Sequence, residues 1–442
     1  EIPWREITKL PEDQLNAYVA AATKEAKSWL HWDSIEPLDA AEAKRILSDS
    51  KLRRRILKSR AVYRDKARGQ GELKAKCRVV CLGHCDPDLR SLTREAPTPT
   101  RMAEHVVFLM IVAGMNKEIE HTGLKWKAWI ADASTAFLQG RQPDGERPHP
   151  LFMWPPKDGV IDKTGEWKAS LCRIKSNIYG LSNAPRLWCM EVQKRLLSLG
   201  YQQHGFDKML FLKRDEKGEI ASVILVYVDD FIGVHRSDYD LEAVKKSFTW
   251  GSFEEIEAGK PVTFKGKQIT VLLQDGRHKI RIDQAEFIQG LGQLRLPKGR
   301  LSGPPTLTED ERSEFRSVAG CLQWLCGQSR PELAPVVSLS NRGAATSPQD
   351  LKNLYEAAAY ARQTSNEGLI LSDVPFNKAS VILTYADSSW ANAESCRSQY
   401  GVLTLLTGPK ASQEATKGFL LDWRSGRSVR VCRSTLAAEA SA

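Results

Sequence analysis

No stretch of this 442-residue chain stays apolar long enough to cross a membrane. The longest such runs, Val106–Met115 and Ile220–Val228, are about half the roughly 20 residues that a spanning helix requires. The opening EIPWREITKL has neither the charged head nor the apolar stretch of a secretory signal, so nothing points to export. It also lacks an initiator Met, which leads us to expect a piece of something longer. The nine cysteines are odd in number and scattered at 77, 81, 85, 172, 189, 321, 326, 396 and 432. Without a signal, that spacing predicts reduced thiols in a cytosolic or nuclear setting rather than a disulfide framework. We find no internal repeat and no low-complexity tract, which excludes solenoid, collagen-like and wholly disordered classes.

What is present is ordinary globular material, 42% hydrophobic and 27% charged, enough to bury several cores. The length suits roughly two to four domains. Lysine plus arginine is 64 and aspartate plus glutamate 54, so the formal charge is 64 − 54 = +10. A basic surplus favours polyanionic partners through counterion release, and this one sets a direction without choosing a partner.

Helical spacing over Leu15–Trp32 predicts a helix ended by Asp33–Pro37. Leu38–Arg60 reads as a second helical stretch that turns basic, with Lys51, Arg53, Arg54, Arg55, Lys58 and Arg60 on a solvated face, nucleic-acid contact being the minority reading. Arg78–Leu82 reads as a strand, Glu104–Gly114 as an apolar helix, and Trp126–Ile130 as a strand leading into ADASTAF. Trp167–Gly180 reads as strand then turn, and Asn183–Gly200 as a helix closed by glycine. Met209–Lys213 and Ser222–Tyr227 should pair around the DEKGE turn, with Phe231–Val234 returning. A boundary is expected near Gly251–Pro261 and a linker over Pro297–Pro305; Phe315–Gln328 and Gln349–Gln363 read as helices, and strands resume at Val381.

The strongest chemical signal is ILVYVDD at 224–230, followed by FIGV. Two adjacent carboxylates in a tight turn between apolar strands raise each other's pKa unless a cation neutralises them. An acidic pair in a turn is commonly just solvent-exposed, but these Val-, Ile- and Phe-rich flanks place it at the rim of a buried sheet. We therefore read it as a metal site. Asp132 ends another apolar strand, KAWIAD. Carboxylates from two strand ends make an oxygen nest suited to Mg²⁺ that keeps waters and substrate phosphates. Two such ions about 3.5–4 Å apart would serve an in-line phosphoryl displacement, a reaction dominated by positioning and charge neutralisation.

With these residues in view, the chain resembles the copia-type (LTR retrotransposon) reverse transcriptases. YVDD with apolar flanks resembles their signature, ADASTAFLQG (131–140) their preceding acidic motif, and YGLSNAPRLW (179–188) their Y-G-L-x-x-A-P-R-x-W string. KAKCRVVCLG (74–83) resembles the fingers strand, FKGKQI (264–269) the turn that grips the primer, and FRSVAGCLQWLCGQSRPELAPVVSLSNR (315–342) the helix-plus-RPD segment. The resemblance covers most of residues 60–345 in the family's order. It departs at Ser182-Asn183, where the family often has Lys-Gln, and at Arg330-Pro331-Glu332.

The resemblance implies that Asp132 and Asp229 are direct metal ligands, that Asp230 is the third acid and that the Ala133 carbonyl is an extra oxygen. It implies that Phe137 is a steric gate against a ribose 2′-hydroxyl, against the plain reading of a core phenylalanine. Gly180 and Pro185 would shape the loop and helix start beneath the templating pair. Arg186 would meet either nucleic-acid backbone or an internal carboxylate. Lys76 and Arg78, two apart on a strand and so on one face, would reach the incoming phosphates. Gly266 lies in the primer turn.

TYADSSWANAESCRSQYGVL (384–403) resembles the start of the family's RNase H domain, with Asp387 its first metal carboxylate, and CRSTLAAEASA (432–442) resembles a later helix, with Glu439 its second. The chain stops three residues after Glu439, so we expect this piece to be incomplete and inactive or poorly active as a nuclease. CRVVCLGHC (77–85) invites a zinc reading, but Cys77 and Cys81 four apart on a strand share a face and suit packing better. The tryptophans at 126, 154, 167 and 188 are taken as core, and His204 and His278 receive no role.

The expected fold is α+β: a right-hand polymerase of fingers, palm and thumb followed by a truncated RNase H-like α/β domain. Its expected parts are an N-terminal helical segment (1–59), fingers and palm (60–250), thumb and connection (251–375) and a partial RNase H-like domain (376–442). The expected activity is RNA- or DNA-templated DNA synthesis with two Mg²⁺ or Mn²⁺ ions. Expected partners are an RNA template, a DNA primer, the RNA–DNA duplex, dNTPs and other polyprotein regions such as integrase, with no membrane. The expected compartments are cytoplasmic, particle-associated, and nuclear. The rivals are a decayed or repurposed nucleic-acid-binding retroelement protein and another palm-based enzyme.

Overall fold

The computed structural model describes residues 1–67, 71–116, 125–141, 147–157, 167, 171–292, 295–374, 377, 379–411 and 413–442. The expected 375/376 boundary and residues 168–170 of the Trp167–Gly180 segment lie outside these. In chain order the elements used below are α1 (Glu12–His31), β1 (Ser59–Asp65), β2 (Ala75–Cys81), α2 (Arg101–Met115), β3 (Trp126–Ala133), α3 (Ala136–Gln139) and α4 (Ala184–Ser198). They continue with β4 (Leu210–Arg214), β5 (Ile220–Tyr227), β6 (Asp230–Arg236), β7 (Val262–Phe264), β8 (Lys267–Gln274), β9 (Arg277–Asp283), α5 (Glu309–Gln328) and α6 (Pro348–Gln363). The last are β10 (Val381–Ala393), β11 (Arg397–Thr407), β12 (Gly418–Arg427) and α7 (Thr435–Glu439). The architecture is mixed α and β. No described helix is long and apolar enough to cross a membrane.

The chain divides into two compact units, each assembled from separate segments. The first comprises Glu1–Thr98, Ala133–Gln203 and Glu242–Ser252. Here α1 lies along the β1–β2 hairpin, and Ala26, Trp29, Val79, Cys81, Leu138, Trp167, Tyr179 and Ala184 share one core. On β2, Cys77, Val79 and Cys81 are buried while Lys76, Arg78 and Val80 are half-buried, the alternation a strand imposes. Cys77 and Cys81 are therefore packing residues. All nine cysteines are free thiols, and among the described residues no three His, Cys, Asp or Glu side chains are arranged to hold a metal ion.

The basic stretch 38–60 departs from the expected single helix. It breaks after Ser48 because Asp49 turns extended and its carboxylate accepts from the Lys51 and Leu52 amides; a single turn, Ser50–Arg53, follows and strands take over. Arg55 is also not on a solvated face. Its guanidinium makes a bidentate pair with Asp88 at 3.0 and 2.6 Å, and Arg147 bridges Asp88 and Asp86 at 3.0 and 2.8 Å. All four groups are buried, and each supplies the counter-charge that makes the others tolerable away from water.

The second unit comprises Pro99–Asp132, His204–Leu241 and Phe253–Ala442. Its central sheet runs β3-β6-β5-β4, every neighbour antiparallel. α2 buries Val107, Phe108, Ile111 and Val112 in the core that this sheet shares with Phe264, Ile269, Val271, Ile280 and Ile282 of the sheet β7-β8-β9. Each such side chain contributes roughly 1.5–3 kcal/mol on burial. α5 and α6 form a separate helical core around Leu322, Leu325, Leu351 and Leu354. The three-stranded antiparallel sheet β10-β11-β12 follows, with α7 packed against β10.

The expected boundary near 251–261 meets a division between the units, from Ser252 to Phe253, which falls inside the strand Trp250–Glu255. In the Pro297–Pro305 stretch, Arg300 pairs with Glu311 at 2.6 and 2.8 Å and donates to the Pro304 carbonyl, tying the turn to the first turn of α5.

Candidate active site

β5 and β6 form a hairpin whose last pair is Tyr227 with Asp230, leaving Val228 and Asp229 as a two-residue turn. Val228 sits at φ 55°, a left-handed conformation that a β-branched residue adopts only when its surroundings compel it. On the other side of β6, Asp230 stands opposite Asp132, the penultimate residue of β3. Directly opposed residues in an antiparallel pair share a face, with Cβ atoms about 5 Å apart. The register thus brings Asp132 and Asp230 together, and the turn adds Asp229. Burial and the adjoining Asp229 and Asp132 charges push the Asp230 carboxyl up to about 6, opposed by the Lys265 amide, which donates to its Oδ2 at 2.9 Å. The three acids do not enclose a closed coordination sphere, yet an all-carboxylate donor set suits a hard divalent cation, and their mutual repulsion is what such a cation would relieve. Ala133 ends β3 and is buried.

A glycine in β6 makes this register possible. A Cβ on Gly233 would lie 2.6 Å from the Trp129 indole, which stacks on Phe253 at 4.8 Å. Below the hairpin, Glu104 of α2 is fully buried and pairs with Lys267, and with Lys265 at 3.5 Å. Burial lowers both ammonium groups, Lys267 to about 7, with the Arg101 charge acting the same way and Asp207 opposing it at Lys265. Sequence reading passed over Glu104 because it occupies one position in an otherwise apolar helix.

In the first unit, Arg78, Phe137 and Gly180 gather around one ring. The Arg78 guanidinium lies 4.1 Å from the centre of Tyr179, and the Phe137 ring lies 5.6 Å from it. Gly180, at φ 95°, touches β2 so closely that a Cβ would sit 2.0 Å from the Cys81 carbonyl oxygen, while the Tyr179 carbonyl accepts from the Cys81 amide at 2.8 Å. Glu25 of α1 accepts from Trp29 and the Val79 amide; burial raises its carboxyl, and the charges of Arg78 and Lys76 pull the other way. Tyr179 and Glu25 are thus the residues that reading the sequence missed. Tyr179 was visible only as a letter of a motif, and Glu25 not at all.

Phe137 lies on α3, whose N-cap Thr135 is left-handed at φ 50° and accepts from the Trp32 indole at 2.9 Å. Pro185 stands in the first turn of α4, where its missing amide costs nothing, and Arg186 follows, half-buried. Gly266, at φ 68°, lies in the β7–β8 turn. Asp387 is exposed in the middle of β10 and accepts from the Ser388 amide; Glu439 is exposed at the end of α7. The Trp390 indole donates to the Cys432 carbonyl at 2.9 Å, tying the approach to α7 onto β10.

These positions can be set against known proteins. The model of the reverse transcriptase (RNA-dependent DNA polymerase) family matches residues 42–293, more than half of the chain. The chain belongs to the reverse transcriptase family. Its relatives place it in the copia-type branch. It is 25% identical over 331 residues to the retrovirus-related Pol polyprotein from transposon RE1 of Arabidopsis thaliana, covering 71% of this chain and 20% of that protein. It is 24% identical over 311 residues to the Pol polyprotein from transposon TNT 1-94 of Nicotiana tabacum, covering 65% and 22%. This reverse transcriptase segment therefore spans about a fifth of the length of the relatives it matches. A telomerase from Candida albicans aligns at 8% identity and a TM-score of 0.36, over 79% of this chain and 58% of that one, a likeness too slight to carry an argument.

Proposed function

We propose that this chain copies an RNA or DNA template into DNA, with fingers, palm and thumb working as a right-hand polymerase within a longer retrotransposon polyprotein that carries integrase. The register that sets Asp132 opposite Asp230, with Asp229 in the adjoining turn, is the observation that supports this reading most. Asp132 and Asp229 would hold two Mg²⁺ or Mn²⁺ ions, with Asp230 and the Ala133 carbonyl completing the oxygen set. When bound, such ions lower the pKa of the primer 3′-hydroxyl and neutralise the leaving pyrophosphate. Lys76 and Arg78 bind the dNTP triphosphate, Arg78 held flat by Tyr179 so that its N–H fork keeps one orientation. Phe137 crowds the ribose 2′ position and so selects deoxynucleotides without a polar contact. Gly180, Pro185, Arg186 and Gly266 bear on the template–primer, which a chain of charge +10 holds through phosphates. Asp387 and Glu439 begin a nuclease site that further acids complete.

The other reading is a retroelement protein that binds nucleic acid without catalysis. The open arrangement of the acids among the described residues favours it. Primer extension on poly-rA/oligo-dT with Mg²⁺ separates the two. We expect extension by the wild type and none by Asp229→Asn, with duplex binding retained; extension that survives Asp229→Asn removes the metal assignment. Phe137→Val should raise ribonucleotide incorporation, and unchanged sugar selectivity retires the gate.

A further inference from the structure

We propose that Glu104 is a positioning residue for the catalytic hairpin: through Lys265 it fixes the β7–β8 turn whose backbone holds Asp230. This rests on the polymerase reading of the hairpin.

Phe264 pairs with Lys267, so Lys265 and Gly266 are the two central residues of a hairpin turn, at φ 52° and 68°. A turn with both central residues left-handed favours Asn-Gly, because asparagine and glycine enter that region readily. Lysine does not, and the Lys265 conformation therefore has to be imposed from outside the turn. Three contacts impose it. The Lys265 ammonium stands 3.5 Å from Glu104 Oε2 and 5.0 Å from the centre of the Tyr227 ring, and its amide donates to Asp230 Oδ2. Tyr227 and Asp230 are themselves the closing pair of the acidic hairpin, so one lysine grips both of its strands.

Glu104 is fixed in turn. It is fully buried on α2 and is paired with Lys267, itself buried at the start of β8. One carboxylate thereby holds the two lysines that flank Gly266. The Asp230 oxygen engaged by Lys265 is turned toward this amide. Asp230 is accordingly an acid positioned by the neighbouring turn. The consequence is that a turn on which a primer terminus would rest and a carboxylate of the reaction centre move as one piece.

Lys265→Leu tests this in the full chain while leaving the Glu104–Lys267 pair in place. Expected is amide exchange over residues 263–268 faster by about tenfold or more, as for a loosened local opening. Expected with it is a fall in kcat for primer extension of about tenfold, with the primer KM within about twofold, as for a small misplacement of a reacting group. Lys265→Asn, which tolerates the left-handed conformation without Glu104, restores both. Glu104→Gln reproduces the leucine variant; should it fail to fold, the Leu and Asn pair still decides. Exchange unchanged in Lys265→Leu, or Leu and Asn variants that behave alike, overturns the proposal. If the wild type extends no primer, the polymerase reading falls, and the exchange measurements alone still uphold or overturn the hold on Asp230.

Discussion

Asp132 and Asp230 face one another across neighbouring antiparallel strands although 98 positions separate them in the chain. Two carboxylates so placed, with Asp229 beside them, oppose folding unless a counter-charge arrives.

A divalent cation should therefore stabilise the folded chain. We expect Mg²⁺ or Mn²⁺ to raise the melting temperature of the wild type, by about 2.7 kcal/mol of stability at a hundred times the dissociation constant. Asp132→Asn should melt higher than wild type in EDTA and lose the metal response. Differential scanning fluorimetry reads both, and a wild type indifferent to Mg²⁺ would refute the expectation.

Gly180 should tolerate no side chain. A Cβ there meets the Cys81 carbonyl oxygen at 2.0 Å and the backbone is left-handed, so we expect Gly180→Ala to cost more than about 3 kcal/mol. Gly218→Ala is the control: its φ of 81° is similar, but nothing lies within 4 Å, and a cost of about 1–2 kcal/mol is expected. Urea denaturation compares them; equal losses would mean that the contact with β2 is unimportant.

The Arg55–Asp88–Arg147–Asp86 group should be needed for the first unit to fold. Asp88→Asn leaves two buried guanidinium groups with one carboxylate between them, and we expect a loss of about 3–5 kcal/mol. Hydrogen bonds from Arg55 hold the Asp88 carboxyl below its ordinary range, so this contribution persists at neutral pH and fades as pH falls through the acid range. A variant as stable as wild type at neutral pH would show that the network is incidental.

Acid should weaken the second unit through His105. Burial among Phe108, Phe419 and Trp423 lowers its imidazole to about 4, with the Arg101 and Lys265 charges acting the same way; Nδ1–H donates to the Leu420 carbonyl. The unfolded chain takes up that proton near pH 6.5 and the folded one near 4, so stability is whole above about 6.5 and drains as pH falls toward 4, by about 3 kcal/mol. His105→Phe should flatten that slope in chemical denaturation between the two pH values. An unchanged slope would place the acid sensitivity elsewhere.

Reading the sequence succeeded where a signal was local. The apolar runs flanking Asp229 and Asp230, the Met209–Tyr227 pairing and the α5 and α6 helices each show in a short window, because periodicity and turn residues act over a few positions. It failed on Arg55 for the same reason: a lysine- and arginine-rich window looks solvated until Asp88 and Arg147, distant in the chain, provide a buried partner.

By itself, then, the amino-acid order determined the family, the acids on their apolar strands, the alternation of β2 and the absence of a long apolar span. Only the tertiary structure decided that Tyr179 gathers Arg78, Phe137 and Gly180, that Glu104 and the Lys265 turn hold Asp230, and that Gly233 exists to admit Trp129. Those relations depend on burial and on contacts between residues tens to hundreds of positions apart, where desolvation and close approach set the energies and no local pattern reports them.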